Sequence, residues 1–158
     1  KPELLVNTHG HFDHIGADDA IRKLFNVKLA VCEAEVEMLA DAKLNASVFF
    51  GRSFEVKDPE IILKDGEIVK TSFCQFKVIT TPGHTKGGIC LLFDDFIITG
   101  DTLFKEDIGR TDLKDGSYET LIKSLDKIKK LDPKLIIYPG HGPSSTLEHE
   151  LKYNSYLR

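Results

Sequence analysis

Apolar residues along the 158-residue chain recur with two periods, and the changes of period mark out its elements. Leu4-Leu5-Val6 is a short apolar run that opens into a polar, histidine-rich turn at Asn7, after which Ile15, Ala20, Ile21, Leu24 and Phe25 recur at helical spacing. A strand, a loop and a helix are predicted in that order. Leu29 to Cys32 predicts a second strand, and Glu33 to Ala42 a second helix whose early acidic residues suit the positive end of its dipole. Asn45 to Asp58 has no period and reads as a loop or short helical excursion, with Phe49, Phe50 and Phe54 in need of cover. From Glu60 the texture turns to β. Ile61 to Leu63, an Asp65-Gly66 turn, Glu67 to Lys70, Phe73 to Thr80, Ile89 to Phe93, an Asp94-Asp95 turn and Phe96 to Thr99 predict a run of mostly antiparallel hairpins. Ser117 is placed to cap a helix to about Leu131, with Leu121, Ile122, Leu125 and Ile128 on one face. Leu135 to Tyr138 reads as a strand, and Ser145 with Glu148 as the capping box of a last helix. Helices interleaved with hairpins predict an α/β (α+β) chain of sheets covered by helices, in a single domain spanning 1-158.

Composition narrows the class. With 41% hydrophobic and 29% charged residues the chain sits with folded domains, and this length buries roughly 70% of the unfolded surface. Basic residues number 21 against 25 acidic and are scattered, so a nucleic-acid or anionic-membrane partner is not expected. No run approaches the ~20 apolar residues of a membrane helix. Cys32, Cys74 and Cys90 form neither a disulfide framework nor a metal knuckle, which fits a reducing cytoplasm; Cys32 and Cys90 lie in apolar runs and read as core residues.

Five of the six histidines emerge where apolar runs end. His9, His11 and His14 lie with Asp13 in Thr8-His9-Gly10-His11-Phe12-Asp13-His14, His84 follows Pro82-Gly83, and His141 lies in Pro139-Gly140-His141-Gly142; Asp101 follows Ile97 to Gly100 in the same way. In an extended segment residues two apart share a face, so His9 and His11 can grip one cation, while Asp13 and His14 turn towards a second. Imidazole and carboxylate without thiolate suit zinc first, and iron or manganese also. His149, inside the last helix beside glutamates, reads as an ordinary polar residue.

His9, His11, Asp13 and His14, followed by His84, Asp101 and His141, resemble the signature of the metallo-β-lactamase superfamily, H-x-H-x-D-H and three separated ligands. Thr81 to Gly88, Thr99 to Phe104, Ile108 to Leu113 and Tyr138 to Gly142 are similar to the glyoxalase II-like (hydroxyacylglutathione hydrolase-like) members in particular. The resemblance implies a four-layer αββα sandwich with mixed, largely antiparallel sheets. It also implies two divalent metal ions: one held by His9, His11 and His84, the other by Asp13, His14 and His141, with Asp101 between them. Family members carry further strands before the signature strand, so a domain incomplete at its N-terminus is expected.

The implied reaction is thioester hydrolysis. A water between two Lewis-acidic metals loses a proton near pH ~7 and attacks the carbonyl, Asp13 orients it, and a thiolate of pKa near ~8.5 leaves without a strong acid. The expected partner is a small thioester, with Arg110 the candidate for binding a substrate carboxylate, in competition with a structural pairing to Asp112. Thr8, Thr85 and Thr102 stand beside ligands as turn formers or supports. Two alternatives stand beside this: a mononuclear iron persulfide dioxygenase of the same superfamily, using His9, His84 and Asp101, and an inert metal-binding scaffold module. A β-lactamase is disfavoured, because two-metal β-lactamases commonly place a cysteine where this chain has Asp101.

Overall fold

The computed structural model describes residues 1–158. Strand β1 (Leu4–Val6) leads through helices α1 (Phe12–Ile15) and α2 (Asp18–Phe25) into β2 (Lys28–Cys32), which lies parallel to β1. Side chains on β2 alternate, as a strand requires. Leu29 and Val31 join Ile15, Leu39 and Val56 on one side, and Ala30 joins Leu63, Phe76, Val78, Ile89 and Leu91 on the other. A 3-10 turn (Glu33–Glu35) and α3 (Val36–Leu39) replace the longer helix predicted over Glu33 to Ala42. A second 3-10 turn (Ser47–Phe50) precedes β3 (Ile61–Leu63).

Here the structure corrects the hairpin expectation. β3 does not fold back on the next strand; it lies parallel to β2 and completes a three-stranded sheet ordered β1-β2-β3. The Asp65-Gly66 turn instead carries the chain to the other sheet, where Asp65 Oδ1 accepts from Thr80 N–H at 2.7 Å and Gly66 N–H donates to Val78 at 2.9 Å. That second sheet contains β4 (Ile68–Lys70), β5 (Gln75–Thr80), β6 (Ile89–Leu92), β7 (Phe96–Gly100), β10 (Ile136–Pro139) and β11 (Ser145–Thr146). Its order is β11-β10-β7-β6-β5-β4, antiparallel except where β10 meets β7. β8 (Leu103–Phe104) and β9 (Asp107–Ile108) form a small ribbon beyond β7, unforeseen because two-residue strands carry no period.

Helix α4 (Tyr118–Ile128) starts where predicted, the Ser117 hydroxyl accepting from Thr120 N–H at 3.3 Å. Its Leu121, Leu125 and Ile128 are fully buried against Ile79, Cys90, Ile97 and Ile137 of the larger sheet, together with Leu147 from α5 (Leu147–Tyr153). Helices, large sheet, small sheet and helices stack as the expected αββα sandwich. One local expectation fails. Thr146, not Ser145, caps α5: both pair with β10, but the Ser145 hydroxyl donates to Glu150, while the Thr146 hydroxyl accepts from His149 N–H at 3.2 Å. Leu24, one of the apolar residues whose spacing marked α2, is 75% exposed. Cys90 is fully buried, and burial pushes its thiol up to about 11, so it is a core residue as read; Cys32 is half-buried beside the inter-sheet core.

Candidate metal centre

β5, β7 and β10 run in one direction, so their C-terminal ends share one edge of the large sheet, and the loops leaving that edge carry His84, Asp101 and His141. The loop after β1 brings His9 and His11 to the same place, tied across the sheets by Ile89 N–H donating to Thr8 C=O at 2.9 Å. His11 is the N-cap of α1 in extended conformation, which swings Asp13 and His14 onto the first helical turn. All seven predicted ligands are thereby brought together.

They fall into overlapping groups whose ligand atoms lie within 4.8 Å of one another: His9, His11 and His84; His9, His14 and Asp101; Asp13, His14 and His141. Asp101 spans them, with Oδ2 3.5 Å from His84 Nε2 and 3.6 Å from His141 Nε2, and Oδ1 3.4 Å from His14 Nε2. Asp13 Oδ2 is 3.0 Å from His141 Nε2. The first group is almost wholly buried, whereas the side chains of His141 and Asp13 are 54% and 36% exposed, so the site opens on its Asp13–His141 side.

The donor atoms fit cations. His84 Nδ1 lies 2.7 Å from the Arg110 carbonyl, a contact only an N–H can make, so His84 Nε2 carries the lone pair. That lone pair faces His11 Nδ1 at 2.9 Å, while His9 Nε2 and Asp101 Oδ1 are buried with no hydrogen-bond partner. Buried polar atoms left so are rare, and a cation would satisfy both. Burial, with the neighbouring imidazoles, holds His9 well below its ordinary pKa and brings His11 down to about 4, so both are neutral at pH 7, the form that can ligate a cation. Burial would lower His14 as well, but Asp101 and Asp13 outweigh it and hold it raised. Burial pushes Asp101 up, and His14, His84 and His141 overcome this and keep its carboxyl below the usual range. Gly140 is required at its position: a Cβ there would stand 2.2 Å from Asp101 Oδ1 and 2.8 Å from the His14 ring.

Arg110, the predicted carboxylate binder, lies at the mouth with both oxygens of Asp112 on its guanidinium at 2.7 Å. Lys86 is likewise held by Asp115 at 2.7 Å. Thr8 Oγ1 stands 3.3 Å from His9 Nδ1, and Thr102 bonds Thr81 at 2.8 Å. His149 pairs with Glu106 at 2.8 Å, away from the centre. Sequence reasoning missed Glu35, which is 1% exposed and accepts from Gly10 N–H at 2.6 Å and Gly87 N–H at 2.7 Å.

Comparison with known proteins agrees with this geometry. The metallo-beta-lactamase superfamily profile matches residues 1–141. The probable metallo-hydrolase YqgX of Bacillus subtilis is 35% identical over 161 residues, covering 99% of this chain and 76% of its own. Among solved structures, the BLEG-1 B3 metallo-beta-lactamase superposes with a TM-score of 0.94 at 35% identity, over 99% of this chain and 77% of that one. TTHA1623 in a di-iron-bound form does so with 0.89 at 28% identity, over 99% and 78%.

Proposed function

The chain belongs to the metallo-β-lactamase superfamily, and from that membership and the geometry of its centre we propose that it hydrolyses thioesters of the S-acylglutathione type. The observation that carries a metal-dependent hydrolase is the convergence of five imidazoles and two carboxylates, with two buried ligand atoms, His9 Nε2 and Asp101 Oδ1, left without partners. His9, His11 and His84 would hold one divalent ion, Asp13, His14 and His141 the other, and Asp101 both. Zinc suits this donor set, and the di-iron form of TTHA1623 makes iron the second candidate. Such ions supply a water acidic enough to lose its proton near neutral pH, and positive charge for the developing oxyanion.

The chain's own groups do the rest. Asp13, at the open side, orients the attacking water and receives its proton. The Arg110 carbonyl fixes the tautomer of His84. A thioester is favoured because the one cation of the cleft, Arg110, is held by Asp112 and is too weak an acid to protonate a leaving group. A thiolate, with pKa near ~8.5, leaves without that help, whereas an amine does not. Likeness to the B3 enzyme BLEG-1 makes a β-lactam the second substrate to consider.

Hydrolysis of S-lactoylglutathione and of a chromogenic cephalosporin by the zinc-loaded chain tests this. We expect turnover of the thioester well above that of the lactam, and a fall in kcat of about 10²–10⁴-fold in Asp13→Asn with circular dichroism unchanged. A folded, zinc-loaded chain that cleaves no thioester would overturn the reading.

A further inference from the structure

The rings that border the metal centre do not belong to the core. Phe49 and Phe50 are 75% and 63% exposed, yet the segment that bears them is firmly built. Phe12 N–H donates to Asn45 C=O at 2.8 Å, Asn45 Nδ2 to Phe54 C=O at 3.0 Å, and Arg52 N–H to Ser47 C=O at 3.1 Å. Ala46 is held at φ +67, a conformation unfavourable for a residue with a Cβ and kept only where the surroundings dictate it. Phe50 stacks on Phe12 with centroids 4.5 Å apart. With Phe104, Ile108 and Leu113 these rings wall a cleft of about 600 Å³ that reaches Asp13, His84, Asp101 and His141. An apolar wall fixed in water beside reactive groups is the form of a ligand pocket.

Charge divides the two ends of the site. The cleft's one cation, Arg110, is paired with Asp112. Across Phe49 and Leu113 an adjoining recess of about 380 Å³ is bordered by Lys43 and Lys114 and by Asp112 and Asp115, and the two acids are already paired with Arg110 and Lys86. An anionic thiol carrier fits the lysine side, which leaves the aromatic side to the acyl group.

Building on the thioesterase reading, we propose that this aromatic wall is an acyl pocket and that the preferred substrates carry an unbranched apolar acyl chain of several carbons, not a small hydroxyacyl group. Phe49 and Phe50 then set specificity. The test is kcat/KM for S-acetyl-, S-butyryl-, S-hexanoyl- and S-lactoylglutathione with the zinc-loaded chain, alongside Kd for the matching non-cleavable thioether ketones. Both should improve about two- to four-fold per added methylene. Phe49→Ser and Phe50→Ser, at exposed positions, should flatten that dependence, with the melting temperature of the chain checked alongside. A flat series, or lactoyl preferred over hexanoyl, would overturn the acyl pocket while leaving the thioesterase in place. If no thioester is cleaved, the thioesterase reading fails and the ketone affinities alone decide on the pocket, flat affinities overturning it. A dimer in sedimentation velocity that dissolves in Phe49→Ser would also overturn it, by showing that a second copy covers the rings.

Discussion

Glu35 lies beneath the metal centre, with one carboxylate oxygen on Gly10 N–H and the other on Gly87 N–H. Gly10 separates His9 from His11, and Gly87 lies three residues after His84, so one side chain clamps both ligand loops of the buried group. Burial pushes its carboxyl above the usual range, against the pull of the two backbone donors. Glu35→Ala leaves both N–H groups buried without acceptors. We predict a loss of about 2–4 kcal/mol in the urea stability of the metal-free protein, and zinc affinity about 10–100-fold weaker in a chelator competition. Glu35→Gln, which keeps one acceptor oxygen, should fall between; full zinc affinity in Glu35→Ala would show that the clamp is immaterial. The cluster of seven side chains was legible in the sequence because imidazoles and carboxylates gathered at strand ends have few other uses. Glu35 was not, because an acidic residue in a first helical turn has the same pattern whether it faces solvent or a ligand loop.

At the scale of elements, the clearest signals were those written in local chemistry. Ser117 capped α4 as read, and the alternation in β5 and β7 gave true strands. Pairing was not legible: nothing local in Ile61 to Leu63 says that its partner is β2 and not the strand that follows, and Ser145 and Thr146 are equally good caps until Glu150 takes the hydroxyl of the first. The junction of α4 with the His84 loop gives one prediction. Gly83 has φ +138 and would place a Cβ 2.4 Å from the backbone of Leu121, while its carbonyl accepts from Ser117 N–H at 2.7 Å. Gly83→Ala should therefore destabilise the fold by about 3 kcal/mol or more, read as a lower melting temperature, and weaken metal retention with it; an unchanged melting temperature would contradict the close approach. Helix α2 gives another. Asp18, its first residue, is 2% exposed and bonded by the Asn7 amide, and burial pushes its carboxyl up to about 6, with Asp19 adding to the rise. Its folded pKa thus lies above the unfolded value of 3.8, so the folded state binds the extra proton and the stability this contributes fades as pH rises from about 4 to about 6. Asp18→Asn should remove that fall and gain on the order of 2 kcal/mol at pH 7 relative to the parent. Equal pH slopes in the two proteins would refute the assignment.

For the whole molecule, sheets covered by helices were legible in the order of the periods, while the four layers were implied only by the family resemblance, because which apolar sets share a core is decided by long-range packing. The cleft was not legible, since its wall joins Phe12, Phe49 and Phe50 to Phe104 and Leu113, residues that only the fold makes neighbours. The layered arrangement sends three parallel strand ends and the loop after β1 to one edge, and the central claim is that this edge holds two metal ions that together drive hydrolysis. The most direct measurement is metal content per chain, paired in the same sample with turnover of S-lactoylglutathione before and after chelation and metal return. The account predicts two divalent ions per chain, loss of turnover as they are removed, and its recovery only as the second is restored. One iron per chain, with oxygen uptake on glutathione persulfide and no thioester cleavage, would contradict it.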